Sequence, residues 1–553
     1  MLGFASVATR RWRGLSLALA TIAGAALIAA PAAGAKARGF QLGVAAGDVD
    51  SSSAILWAKA KRAGKVELQI TDRGGFGRCD PKHAGKLGLK AKRGSDYTVQ
   101  KRVKHLDPDT SYSYRFCMKG GRKSDTGKFT TAPAANSKQT IRFGFSGDQD
   151  ARPEPGQTEP YWNNFEIWDA IRQQRNDFNV LMGDTIYSDT EVPGYTFDDL
   201  ALTVEQKWEA YKTNLRMKPW AKARGSAAYY AHWDDHEFIN DFAPGADNFP
   251  LGVGTVEIDG EELYERGVEA FTDYNPITYR KGKGIYRSVR WGKNLEVFFL
   301  DERSFRSTAS DYTSVCDNPP GTRDFAPTAP QSVRDAFSVI APALGNPVPQ
   351  ACLDSINDPS RTLLGSKQLK RFKKEIANSK ATFKVIMNEL PIQQYYVDPY
   401  DRWEGYEAER QEVLHYLQDK VENVVFLTAD VHASLVNDAR FNTLGPAGVQ
   451  NSGILDVTTG PIATANYGLE ISDTIGSPSA GVLVQSLFLK PQPPAGVGMQ
   501  CASVDQFSYA QVEVTKSRLT IDLLDPNDQP VLDTGDSTDP AAQPCAQVVI
   551  PKQ

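Results

Sequence analysis

No two of the six cysteines in this 553-residue chain form a CxxC arrangement, which argues against a structural zinc site built on thiolates. There is no GxSxG elbow and no GxxxxGK[ST] loop, so the usual serine-hydrolase and phosphate-loop signatures are missing. Charge of either sign is not in excess: 62 Lys and Arg face 67 Asp and Glu, for a net charge of -5. No basic stripe with interleaved aromatics stands out, and the short basic stretch HAGKLGLKAKRGS reads as a solvated loop, so no nucleic-acid-binding surface is evident. Internal repeats are absent, and low complexity is confined to the N-terminus.

That N-terminus, ATRRWRGLSLALATIAGAALIAAPAAGAKA, places basic residues before an apolar stretch from Leu15 to Ala30, then Pro31 and the small-residue pattern Ala33-Gly34-Ala35. It reads as an export signal peptide, residues 1–35, cleaved near Ala35 and leaving no transmembrane anchor. Arg10 and Arg11 suit the twin-arginine route, although Trp12 and Arg13 depart from its pattern. The protein is thus expected to be secreted, periplasmic or cell-wall associated, where disulfides persist. The cysteines fall into sequence-local couples, Cys79 with Cys117, Cys316 with Cys352 and Cys501 with Cys545, and three structural staples are expected.

Three stretches follow the signal. Residues 38–134 alternate in short runs rich in Thr, Val, Tyr and Gly, and HLDPDTSYSYRF resembles the corner of fibronectin type III-like sandwiches, so a small β-sandwich is expected there. Between 138 and 475, apolar strand-like runs alternate with amphipathic stretches such as YWNNFEIWDAIRQQ, KQLKRFKKEIAN and YEAERQEVLHYLQD. That alternation predicts a layered α/β domain of mixed sheets flanked by helices. Residues 476–553 read as a β-rich extension packed on it, and the whole as a monomer.

The chemistry lies where the apolar runs stop. IRFGFSGDQD ends at Asp148, FNVLMGDTIYSD at Asp184 and Tyr187, YYAHWDDHEF at Asp235 and His236, FKVIMNELP at Asn388, and VVFLTADVHAS at Asp430 and His432. In layered α/β sheets the loops after the strands gather along one edge, so these residues can meet despite their separation in sequence. Carboxylates, a phenol, an amide and imidazoles are ligands for hard or borderline cations rather than a nucleophilic machine. Clustered in a dry pocket without cations, the four aspartates would repel one another and take up protons. A pair of metal ions would remove that conflict and could hydrolyse a phosphate ester.

The order GDxxY (Gly183, Asp184, Tyr187), WDDHE (Trp233 to Glu237) and DVHA (Asp430 to Ala433) resembles the PhoD-like alkaline phosphatase and phosphodiesterase family of the calcineurin-like metallophosphoesterases. FQLGVAAGDVDSSSAILWAKA, FFLDERSFR, LLGSKQLKRFKKEIANS and DRWEGYEAER look like further family blocks, and the resemblance runs from about Phe40 to Leu435. It implies that Asp184 bridges two metals and that Tyr187 and His432 bind an iron(III) ion. Asp235, assisted by Asp430, would bind a second ion, calcium, and His236 would face the substrate. It also implies substrate or second-metal contacts at Asn388 and Arg303. Where the best-known members have a cysteine ligand this sequence has Asp148, and a carboxylate there loosens the preference for iron over manganese or another divalent ion.

The function so implied is hydrolysis of phosphate esters by a metal-activated hydroxide without a covalent intermediate. The substrate is left open between monoester, diester, teichoic acid and phospholipid headgroup. The alternative is a calcium-stabilised binding or cell-wall protein without catalysis.

Overall fold

The computed structural model describes residues 39–553, apart from 83, 84, 252, 253, 319, 320 and 340. The export signal read at 1–35 lies outside the described residues. Among those residues no helix is long and apolar enough to cross a membrane.

Two large mixed sheets form the body. Five strands position the candidate ligands: β1 (Ile141–Gln149), β2 (Phe178–Met182), β3 (Ala228–His232), β4 (Phe383–Met387) and β5 (Val424–Thr428). In the first, ten-stranded sheet, β1, β2 and β3 lie side by side and parallel, in register Phe143↔Phe178 and Phe178↔Ala228. In the second, seven-stranded sheet, β4 and β5 are parallel neighbours, Val385 opposite Val425.

Side-chain alternation decides which sheet face meets what. Phe178, Val180 and Met182 of β2 join Val385 and Met387 of β4 and Val425 and Leu427 of β5 in one core between the sheets. The intervening Leu181, with Tyr229 and Ala231 of β3, turns the other way onto a helical layer carrying Trp168, Trp208, Trp220 and Phe271. On the far side, Phe298, Ile386 and Phe426 meet Leu369, Phe372, Leu414 and Leu417 of the helices Ser366–Asn378 and Glu407–Lys420. The result is helix, sheet, sheet, helix, as the alternation of runs predicts. Strands ending on the same side therefore deliver their last residues to one edge.

The N-terminal strands are less independent than a free-standing sandwich. Phe40–Gly47, Ser53–Ala60 and Thr98–Lys104 continue the ten-stranded sheet, Phe40–Gly47 pairing in parallel with β3 through Ala46↔Ala228 and Gly47↔Tyr229. The other sheet of this region, built on Gly64–Thr71 and Ser111–Met118, stays local. Near the C-terminus, Tyr509–Val514 pairs with β1 and Arg518–Leu524 follows it. Helices occur there too, at Tyr467–Ile475 and Ala480–Val484, where the sequence showed few helical patterns. They are short, and the first depends on a local cap, the Asn466 side chain accepting from the Leu469 N–H. The three cysteine couples are disulfides: Cys79–Cys117, Cys316–Cys352 and Cys501–Cys545.

Candidate metal centre

The strand ends turn sharply. Asp148, Asp184, Asp430 and His432 all adopt positive φ, at 62°, 44°, 65° and 51°. This region is unfavourable for side-chain-bearing residues, and aspartate is among the few types that tolerate it. Turning the backbone this way at the end of β1, β2 and β5 redirects the carboxylates and the imidazole toward one another. Gly183, with φ 77°, lets β2 pass close to its neighbours: a Cβ there would lie 2.8 Å from Asp234 Cβ and 2.8 Å from Glu389 Cγ.

Among the described residues four groups of potential ligand atoms result, each with its atoms within 4.8 Å of one another, and they share members. Asp148, Asp184 and His432 form one; Asp184, Asp235 and His236 the next; Asp235, Asp241 and Asp401 a third; Glu191, His432 and Glu470 a fourth. Asp184 thus belongs to two abutting groups. The Tyr187 hydroxyl is 2.9 Å from His432 Nε2, beside the first of them. Asp430 is in none of the four; its Oδ1 lies 3.9 Å from an Arg303 nitrogen. Asn388 is buried and committed elsewhere, its amide donating to the Leu390 carbonyl and accepting from Trp403 Nε1 at 3.3 Å.

Arg303 is fully buried, in contact with Asp234 and 2.8 Å from Asp401. The guanidinium of this expected substrate contact faces carboxylates. It serves as an internal countercharge, and Arg306, 2.7 Å from Asp401, adds a second.

Burial and mutual repulsion favour the protonated form of several carboxylates of the centre. Burial pushes Asp148 up to about 7, with His432 pulling the other way, and leaves its Oδ2 buried without a hydrogen-bond partner. Burial also drives Asp184 and Asp430 well above the carboxylate range, with the neighbouring aspartates adding to it. The Tyr187 phenol rises as well, from burial and then from Asp184 and Asp148. Burial opposes charge on His236, but Asp189, Asp184 and Asp235 outweigh it and hold the ring well above its usual value. An orphaned carboxylate oxygen amid hard oxygen donors and imidazole nitrogens fits bound cations, which would let these carboxylates ionise.

Several residues that matter here escaped the sequence reading. Asp189 accepts from His236 Nδ1 at 2.6 Å and from the Asn240 N–H at 2.7 Å, and the His236 ring stacks on Tyr187 with centroids 4.1 Å apart. Glu470 holds His432 Nδ1 from the helix Tyr467–Ile475. Glu237, to which the sequence reading gave no role, is buried and ties two turns together, accepting from Thr185 N at 2.7 Å and Asp234 N at 2.8 Å. Asp189 stands two residues past Tyr187 and Asp401 opens the block DRWEGYEAER, so both carried a signal; Glu470 carried none.

Two facing mixed sheets between helical layers, with carboxylates and imidazoles from several strand ends meeting at one edge, define the metallophosphoesterase fold. Within it, the chain belongs to the PhoD-like phosphatase family: the family profile matches residues 155–523, and that of the PhoD-like phosphatase N-terminal domain matches 26–133. Alkaline phosphatase D of Bacillus subtilis (strain 168) is 24% identical over 433 residues, which are 71% of this chain and 64% of that protein, so the match spans just under two thirds of the relative's length. The solved structure of PhoD superposes with a TM-score of 0.67 at 20% identity, covering 95% of this chain and 92% of the other. Purple acid phosphatase PPD1 from yellow lupin (Lupinus luteus) seeds gives 0.51 at 12% identity, covering 89% and 72%. At these identities both structural likenesses speak to fold alone.

Proposed function

We propose that this protein is an exported, metal-dependent phosphoric ester hydrolase acting as an alkaline phosphatase or phosphodiesterase. The observation that carries the reading is the double membership of Asp184, whose carboxylate faces Asp148 and His432 on one side and Asp235 and His236 on the other. Asp148, Tyr187 and His432 would hold one ion, for which iron(III) is the first choice and manganese the competitor. Asp235, with Asp430 nearby, would hold the other, for which calcium suits the all-oxygen surroundings of Asp241 and Asp401. When bound, two such ions supply charge for the phosphoryl oxygens and acidify water.

The chain's own residues supply the rest. Asp189 fixes His236 through Nδ1, so Nε2 is the atom that would give a proton to the departing oxygen. A calcium site serving structure alone has no use for that arrangement. No cysteine among the described residues is free. Asn388 and Arg303, both buried, shape the centre without touching the ester. The disulfides and the N-terminal signal support export.

The test is to load the mature protein with metal and assay 4-nitrophenyl phosphate and bis(4-nitrophenyl) phosphate. Asp184→Ala, shown to be folded by circular dichroism, should fall to background on both; retained hydrolysis would sink the assignment. With iron(III) bound, a visible tyrosinate charge-transfer band should appear and be lost in Tyr187→Phe.

A further inference from the structure

A cavity of about 230 Å³ opens from the centre between the segment 325–344 and the helices Tyr467–Ile475 and Ala480–Val484. At one end stand Asp241, Asp401, Asp430 and Glu470, three of them members of the ligand groups. The remainder is largely hydrocarbon: Phe325, Val333, Phe337, Ile471, Ile475 and Phe488 line it, with Phe337 edge-on to Phe488 at 5.4 Å.

The cationic side chains on its wall are already committed. Arg323 pairs with Asp311 and Asp398 at 2.7 and 3.0 Å, Arg334 with Asp324 at 2.8 Å, and Arg402 donates to the Val397 carbonyl. The Tyr396 hydroxyl is likewise occupied, donating to Gln394 and accepting from the Leu444 N–H. A sugar or polyol entering the apolar part, among Phe325, Val333, Phe337, Ile471, Ile475 and Phe488, would give up water for few hydrogen-bonding partners. A hydrocarbon arm would lose nothing of the kind and would gain by leaving water.

We infer that the cavity receives the alcohol portion of the ester, and that this portion is a hydrocarbon arm, alkyl or aryl, rather than a polyol. The inference rests on the reading of the centre as hydrolytic. At roughly 30 Å³ for a water-sized unit, the cavity holds a chain of about seven methylene-sized units.

The experiment uses the metal-loaded enzyme and n-alkyl phosphates of one, four, seven and ten carbons, with glycerol phosphate as the polyol comparison and release of inorganic phosphate as the readout. All are kept below their aggregation concentrations so that no lipid surface takes part. The expected result is a rise in kcat/KM of about threefold to fourfold per methylene, levelling off near seven carbons, with glycerol phosphate close to methyl phosphate. Alkylphosphonates, which are not hydrolysed, should bind in the same order by calorimetry, with a heat-capacity change that grows more negative with chain length.

Ile475→Glu should flatten the chain-length dependence while leaving methyl phosphate turnover unchanged, and Ile475→Ala should flatten it partly; both are checked for folding by circular dichroism. A flat or falling series, or glycerol phosphate turned over as well as heptyl phosphate, overturns the inference even though hydrolysis is intact. Absence of hydrolysis on every substrate overturns the reading of the centre instead, and the phosphonate binding order then still decides the cavity's preference.

Discussion

Lys207 shows what burial does to a single residue beside the centre. Its ammonium is enclosed, donating to Ser188 Oγ at 2.7 Å and the Phe238 carbonyl at 2.8 Å. Burial lowers it from 10.5 to about 7 against the opposing pull of Asp189 and Glu237. Between those two values the unfolded chain binds a proton that the folded chain lacks, so this residue makes stability rise with pH across the window and contributes no slope below it. Urea denaturation at pH 7.5 and 9.5 should show the wild type gaining up to about 2.7 kcal/mol relative to Lys207→Met over the two units. An equal response in both proteins would remove Lys207 from this account.

Asp189 is the second test at this scale. Asp189→Asn takes the countercharge from His236 while keeping its shape. The expected outcome is a kcat lower by roughly 10- to 100-fold, with KM little changed and the alkaline limb of the pH profile moved to lower pH. An unmoved limb would mean that Asp189 is only a structural partner.

These residues also show where sequence reading stops. Asp148, Asp184, Asp235 and His432 stand at or just past the end of an apolar run, which is what singled them out in the sequence, and their ligand atoms lie in shared groups. Glu237 was not singled out, since its partners include the backbone N–H groups of Thr185 and Asp234, and nothing in a charge pattern distinguishes a carboxylate held by amides from one in water. The carboxylate neighbours of Arg303 were not legible for a related reason: Asp234 and Asp401 stand far from it in sequence.

For the elements, β2 and β4 were legible as short apolar runs, and both strands are buried along their whole length. What the pattern does not carry is the conformation just past each strand. Gly183 is the clearest case, because its positive φ and the 2.8 Å approaches to Asp234 and Glu389 leave no room for a methyl group. Gly183→Ala is expected to cost about 2 to 5 kcal/mol, combining the left-handed penalty with overpacking, and to weaken metal binding. A variant within about 0.5 kcal/mol of wild type in denaturant titration would show that the turn relaxes freely. The connections behaved differently. The stretch between Cys316 and Cys352 is rich in turn formers, yet Phe325, Val333 and Phe337 within it build part of the apolar wall beside the centre. A loop's length is visible in a sequence, but what it leans on is not.

At the scale of the whole molecule, layer order follows from alternating runs, whereas strand partners do not. The N-terminal region looked self-contained because its turns are local, but Phe40–Gly47 finds its parallel partner in β3. Residues 138–553 expressed alone are therefore expected to be insoluble or to melt well below the longer chain, because β3 would present an uncovered edge. A fragment with the melting temperature of the parent would show that the N-terminal strands are an accessory.

The three strands β1, β2 and β3 are flanked by Phe40–Gly47 on one side and Tyr509–Val514 on the other. The first flank is synthesised long before its partner, and the second long after. A ribosome must deliver residue 514 before both margins of this ligand-bearing trio are covered. Such distant pairings fold slowly and leave sticky edges exposed meanwhile. Assembly of the metal centre therefore waits on a segment made long after its ligands, and in that interval the nascent protein depends on whatever escorts it.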